Sequence, residues 1–224
     1  MYYNTPYNVL NSINMRGSEM SAEFKEVRVK SAGRPRSLIY GVGINDAGYA
    51  VSRRVDGKTV SCPYYSRWAK MLERACCPYY SEIHPAYKYA SVCKEWHTFS
   101  TFKAWMRIQD WRGNALDKDL IIPNNKHYSP SNCCFIPTAL NNLLLSCEAK
   151  RGAYPLGVCL HKASGKYQAS CSVSGKATHL GYYTTPDAAS IAYKTCKAKL
   201  IREAADLHPD KRVREGLRRH ADNL

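Results

Sequence analysis

From Leu38 onward the chain alternates short apolar runs with polar breaks, and the period of that alternation changes along its length. AGYAVSRRVDGKTVSC sets Asp56-Gly57 between two strand-like runs, a strong hairpin signal because both residues tolerate the positive φ of a tight turn. YYSRWAKMLERACC then brings Trp68, Met71, Leu72 and Ala75 to one side at a 3.6-residue period and predicts a helix. SVCKEWHTFSTFKAWMRIQDW predicts a second, with Thr98 or Ser100 as cap and Phe99, Phe102, Trp105 and Met106 as a packing stripe. A short strand over LDKD, an Asn/Pro turn and a second strand near Cys133 come next. IPTALNNLLLSC follows as a third helix with Leu140, Leu143 and Leu144 inward.

Beyond residue 150 the pattern becomes three strands and a helix. GVCLH, KYQASCSV and KATHLGYY are the strands, with Ser164-Gly165 and Ser174-Gly175 as tight turns. The helix begins at TTPDAAS, where Thr185 caps, Pro186 fits the first turn and Asp187 suits the helix dipole. Ala189, Ala192, Tyr193, Cys196 and Leu200 form a stripe able to cover one face of a three-stranded sheet. In the second strand Tyr167, Ala169, Cys171 and Val173 face one way. Lys166, Gln168, Ser170 and Ser172 face the other.

The breaks divide the chain. Residues 1–37 are polar, end in SAGRPRS and are expected to be a mobile basic arm. KRGAYP, residues 150 to 155, is basic, contains Gly and Pro, and reads as a linker. The expected organisation is therefore an arm (1–37), a first module (38–149), a second module (150–206) and a basic C-terminal tail (207–224). Gly41 and Gly43 in GVGIND do not make a phosphate-binding loop, because no helix with the rest of that fingerprint follows.

Charge narrows the function classes. The 33 Lys and Arg exceed the 18 Asp and Glu by 15, and the excess is spread over the whole chain, which suits a polyanionic partner. No apolar run approaches the roughly 18 residues that span a bilayer, and MYYNTPYNVL lacks the parts of a signal peptide, so a reducing, cytoplasmic setting is expected. The ten cysteines contain no CxxC pair. That spacing disfavours a structural zinc site drawn from Cys76 or Cys77, Cys93 and Cys133 or Cys134 but leaves it open, and most of the thiols are expected to be small buried side chains. On the polar face of the second strand, Gln168 can pair with an adenine edge, while Lys162, Lys166 and Lys176 can hold phosphates.

YPLGV, HKASGKYQA, the LGYY turn and TPDAASIAY, in that order over residues 154 to 203, resemble an AP2-type DNA-binding domain. The resemblance implies a three-stranded antiparallel sheet packed on one helix, with its free face in a major groove. The arginines and tryptophans of the plant pattern are replaced here by Cys159, His161, Ser170, Ser172 and His179.

VCKEW, LDKD, YSPSNC and the NNLL helix, within residues 38 to 145, resemble the HNH homing endonuclease-like proteins of bacteriophages. That resemblance implies a ββα module gripping one divalent cation, Mg²⁺ or another, at the DNA backbone. Asp117, Asp119 and His127 would be the metal ligands, and Asn132 would orient a base or ligand. The motif's general base, usually His, falls at Lys118, which is a poor base but a good phosphate contact because it is protonated at neutral pH. His127 is the nearest histidine able to substitute.

The expected protein is therefore α+β and binds double-stranded DNA in a host cytoplasm. It either nicks or cuts DNA with a metal, or keeps the nuclease scaffold without catalysis as a regulatory or counter-defence protein with a possible host partner. An RNA-binding or structural role stays open, since charge does not separate DNA from RNA.

Overall fold

The computed structural model describes residues 24–28, 37–145, 152–173 and 176–224. Most of the arm, the first two residues of the 150–155 linker, Cys147 and the Ser174-Gly175 turn lie outside the described residues. The chain is mixed α and β and divides into two compact units.

The first unit comprises Glu19–Trp111 and Leu116–Phe135. Strands β1 (Ser52–Val55) and β2 (Lys58–Ser61) form an antiparallel hairpin. Its turn holds Asp56 at φ 49° and Gly57 at φ 75°, the pair of positive values that a two-residue turn requires. Helix α1 (Pro63–Cys76) buries Trp68, Met71 and Leu72, and a short α2 (Pro78–Ile83) follows. Helix α3 (Phe99–Arg107) buries Phe99, Phe102 and Met106, and Trp105 stacks on Phe135 at 5.7 Å between centroids. Trp68 Nε1 donates to Trp96 O at 2.7 Å, which satisfies a buried indole inside this aromatic core. The α3 cap differs from expectation. Thr98 occupies the cap position without a side-chain bond, and Asp46 accepts the Ser100 N–H at 2.9 Å instead.

Two further pairs frame the loop of interest. Strand β4 (Asn114–Asp117) pairs with β6 (Cys134–Pro137), and β3 (Ser91–Val92) pairs in parallel with β5 (His127–Tyr128). The β3–β5 pair is too short to leave a periodic signal.

The second unit comprises Arg112–Ala115 and Ile136–Leu224. Strands β7 (Val158–His161), β8 (Lys166–Val173) and β9 (Lys176–Tyr183) form an antiparallel sheet in that order. Helix α5 (Pro186–Leu207) packs on it, starting where the pattern puts its cap: Thr185 Oγ1 accepts the Ala188 N–H at 3.2 Å. Gly157 approaches this helix so closely that a Cβ there would lie 2.1 Å from the Tyr193 ring. Its φ of +79° is also the left-handed value that glycine adopts without strain.

The division precedes the 149/150 boundary expected from the linker, because helix α4 (Thr138–Leu144) packs against α5. Just past α4, Leu145 O accepts a hydrogen bond from buried Lys197 at 3.3 Å. Of the α4 leucines only Leu140 is fully buried. The expected tail is also a structural element. Helix α6 (Lys211–Asp222) buries Val213, Gly216, Leu217 and Ala221 and packs against α5. Among the described residues no helix is long and apolar enough to cross a membrane.

Candidate functional site

In the first unit the chemistry suggested by the sequence sits between Asp117, at the end of β4, and Asn132, ahead of β6. Asp117 Oδ1 accepts the N–H groups of Asp119 and Leu120 at 2.9 and 2.8 Å, a turn in which the side chain replaces a backbone acceptor. Burial and the neighbouring Asp119 charge push its carboxyl up to about 6, against the pull of those two donors and of Lys118. Lys118 points inward and is 7% exposed. Its ammonium donates to Asp119 Oδ2 at 3.0 Å and lies 5.8 Å from the centroid of the Tyr87 ring.

The loop backbone is held by two asparagines. Asn125 Nδ2 donates to Lys118 O at 2.6 Å and to His127 O at 2.8 Å, and Asn125 Oδ1 accepts the His127 N–H at 3.1 Å. Asn132 adds longer bonds to His127 O (3.3 Å) and Asn125 Oδ1 (3.4 Å). Asn132 thus fixes loop backbone rather than a catalytic side chain, and Asn125 is a member that the motif did not single out. The exposed His127 ring places Nδ1 2.9 Å from Ser91 Oγ across the β3–β5 pair.

These residues do not fit a divalent cation. A hard cation needs several oxygen ligands directed at one point. Here one carboxylate already carries a buried ammonium and the other receives two backbone donors on Oδ1. Among the described residues no three His, Cys, Asp or Glu side chains form a group that could hold a metal ion, and the set Asp117, Asp119 and His127 is therefore not assembled. The same holds for the zinc set drawn from Cys76 or Cys77, Cys93 and Cys133 or Cys134. Burial pushes the Cys133 thiol up to about 12 and raises Cys76 and Cys93 as well.

The second unit presents the contrasting surface. The sheet lays Ala169 and Cys171 against α5, and on its other face Cys159, Lys166, Ser172, His179 and Tyr182 are exposed. Pairing puts Cys159, Gln168 and Tyr182 in one cross-strand row, His161 opposite Lys166, and Ser170 opposite His179. Paired residues of antiparallel strands share a face. The free face therefore carries His161, Lys166, Gln168, Ser170, Ser172 and His179 as expected, with exposed Lys162 in the turn after β7. Lys176, the third lysine expected to hold phosphate, is exposed, pairs with Val173 and by alternation belongs to the opposite face.

Comparison of the chain with protein-family models, with curated proteins and with solved structures gives no match.

The face also carries a residue that the sequence reading left out. Tyr182 is 48% exposed, and the ring centroids of His161 and His179 lie 4.9 and 4.6 Å from its own. A register shift between Ala169 and Ser170 leaves Leu180 unpaired on β9 and so returns His179 to the face of Tyr182. Gly181 in LGYY, at φ +137°, is the one signal for it, since a glycine inside a strand pattern often marks a bulge.

The positive charge of α6 is largely engaged within the fold. Arg218 pairs with Asp206, Arg202 of α5 pairs with Asp222, and Arg212 pairs with Asp210. Arg214 donates to the carbonyls of His208 and Pro209, both at 2.9 Å, just past the end of α5.

Proposed function

We propose that this protein binds DNA through the free face of its C-terminal sheet and does not hydrolyse DNA at the 117–132 loop. The observation that carries the proposal is the composition of that face. His161, Lys166, Gln168, Ser170, Ser172 and His179 share it, Lys162 stands at its rim, and residues 149–186 contain no Asp or Glu. Hydrogen-bonding groups beside unopposed lysines suit a surface that meets phosphates and base edges together.

The loop supports the second half of the proposal. Lys118 is buried against Asp119 and presents neither a base to water nor an ammonium to phosphate. The chain is then a phage-type HNH homing endonuclease-like scaffold without its chemistry, acting as a regulatory or counter-defence DNA-binding protein. One observation favours the hydrolytic reading. His127 is exposed with Nδ1 held by Ser91, and a fixed imidazole is what a general base requires.

A gel-shift series on duplex DNA, with supercoiled plasmid in Mg²⁺ or Mn²⁺ and an EDTA control, separates the readings. The expected result is salt-sensitive binding without nicking, in the wild type and in Lys118→His alike, because a side chain at 118 faces inward. Metal-dependent nicking lost in both Asp117→Asn and His127→Ala would establish the nuclease instead.

A further inference from the structure

We propose that Tyr182, flanked by His161 and His179, is a stacking platform for an unpaired nucleobase, so that the C-terminal sheet takes single-stranded as well as duplex DNA. This rests on the proposed reading of that face as a DNA-binding surface and names the feature of DNA that it receives.

The arrangement is specific to this residue. The other tyrosines of the module are anchored: Tyr167 packs edge-on against Tyr154 at 5.3 Å, and Tyr183 donates its hydroxyl to Leu180 O at 3.2 Å. Tyr182 instead is 48% exposed and has two imidazoles beside its ring, each tilted 54° to it. Regular alternation along β9 would give this face Leu180 and Thr178 beside Tyr182. The bulge substitutes His179, and bulges characteristically re-aim a side chain at a working surface. The result is a continuous strip of three π-systems crossing from β7 to β9.

The exposed Tyr182 ring is a π-surface that matches the face of a base rather than its edge. Inside a duplex the faces are covered by stacked neighbours, and proteins meet only edges and backbone in the grooves. An unpaired base exposes its face, and aromatic side chains on a basic surface are the usual means of holding it. The charge is complementary, with Lys166 opposite His161 and Lys162 in the adjoining turn, and no carboxylate between 149 and 186. Gln168, beside Tyr182 in the cross-strand row, is placed to meet the edge of a base whose face lies on the ring.

The test is fluorescence anisotropy with the full chain and three probes of equal phosphate count: single-stranded oligo(dT), the same strand made abasic, and a mixed-sequence duplex. The wild type is expected to bind oligo(dT) well and the abasic strand poorly. Tyr182→Ala should weaken oligo(dT) about 5- to 150-fold, equivalent to ~1–3 kcal/mol per stacked base, with much less effect on duplex. Tyr182→Phe should stay close to wild type, since the ring and not the hydroxyl makes the contact. Equal affinity for the abasic strand and oligo(dT) would overturn the platform, as would equal losses on oligo(dT) and duplex in Tyr182→Ala. Duplex binding without oligo(dT) binding would overturn it while leaving the DNA-binding proposal in place. Failure of the wild type to bind any probe would overturn both.

Discussion

Lys118 and Lys166 both sit at a strand end among polar neighbours, and the two units use them in opposite ways. Lys118 is flanked in sequence by Asp117 and Asp119, and the chain folds its ammonium inward onto Asp119. Lys166 has no acidic residue nearby in sequence and stays exposed opposite His161. A buried ammonium needs a partner, because desolvation of an unpaired charge costs more than the fold can supply. Whether a lysine reaches phosphate is therefore decided by the carboxylates around it as much as by its place in a motif. The Lys118 charge is satisfied within the fold, whereas Lys166 stays exposed beside residues that carry no carboxylate.

The largest expected effect tests that availability. If about six phosphates are contacted, duplex affinity should fall by on the order of a thousandfold as salt rises from about 50 to 200 mM, a log–log slope of roughly −5. Lys166→Ala should make that slope shallower by about 1, whereas Lys118→Ala should leave it unchanged. Binding titrations at several salt concentrations measure both slopes. A shallower slope in Lys118→Ala would show that this lysine reaches DNA and would remove the contrast between the units.

Stability should respond in the reverse sense. Lys118→Ala removes a buried charged hydrogen bond and should lower unfolding free energy by about 2–3 kcal/mol. Lys166→Ala, at an exposed site, should stay within about 0.5 kcal/mol. Urea midpoints of the two variants give the comparison directly. Equal midpoints would mean that the Lys118 pair contributes nothing, as many ion pairs with one exposed partner do.

The elements that were legible in the sequence are those whose signal is local. Asp56-Gly57 announced its hairpin, the Trp68, Met71 and Leu72 stripe its helix, and Thr185-Pro186-Asp187 the start of α5. What escaped depends on distant partners. The Asp46 cap on α3 comes from 54 positions earlier in the chain. The β3–β5 pair joins two-residue strands, too short for any period to show. The basic stretch at 207–224 reads as a phosphate-binding tail until Val213 and Leu217 are seen buried on a helix that packs against α5, itself longer than its predicted stripe. At the candidate sites, alternation correctly assigned Lys166 through Ser172 to one face, because β8 is regular. On β9 no alternation was read, and the bulge there sets Lys176 and Tyr182 on opposite faces, because a strand with an extra residue no longer alternates across it. Motif position likewise predicted an outward Lys118, but inward burial follows from contacts with Asp119 and Tyr87 that only the fold brings about.

The smallest expected effect concerns Asp117. Its carboxyl titrates at about 6 rather than at the ordinary 3.8, through burial first and the Asp119 charge second. A folded-state pKa above the unfolded value means that the fold favours the protonated form. Its contribution to stability is then complete below about pH 4 and is lost as pH rises through about 6. Asp117→Asn keeps an Oδ1 acceptor for the Asp119 and Leu120 N–H groups and cannot ionise. The variant should match the wild type near pH 4 and exceed it at pH 7 by about 1–2 kcal/mol, since each tenfold change in proton affinity on folding is worth ~1.4 kcal/mol. Urea unfolding at the two pH values checks both the sign and the size. A wild type that gained on the variant as pH rose would show instead that the fold holds this group as a carboxylate. A carboxylate favoured over its neutral form would mean that the two backbone donors and Lys118 outweigh burial and the Asp119 charge at this position.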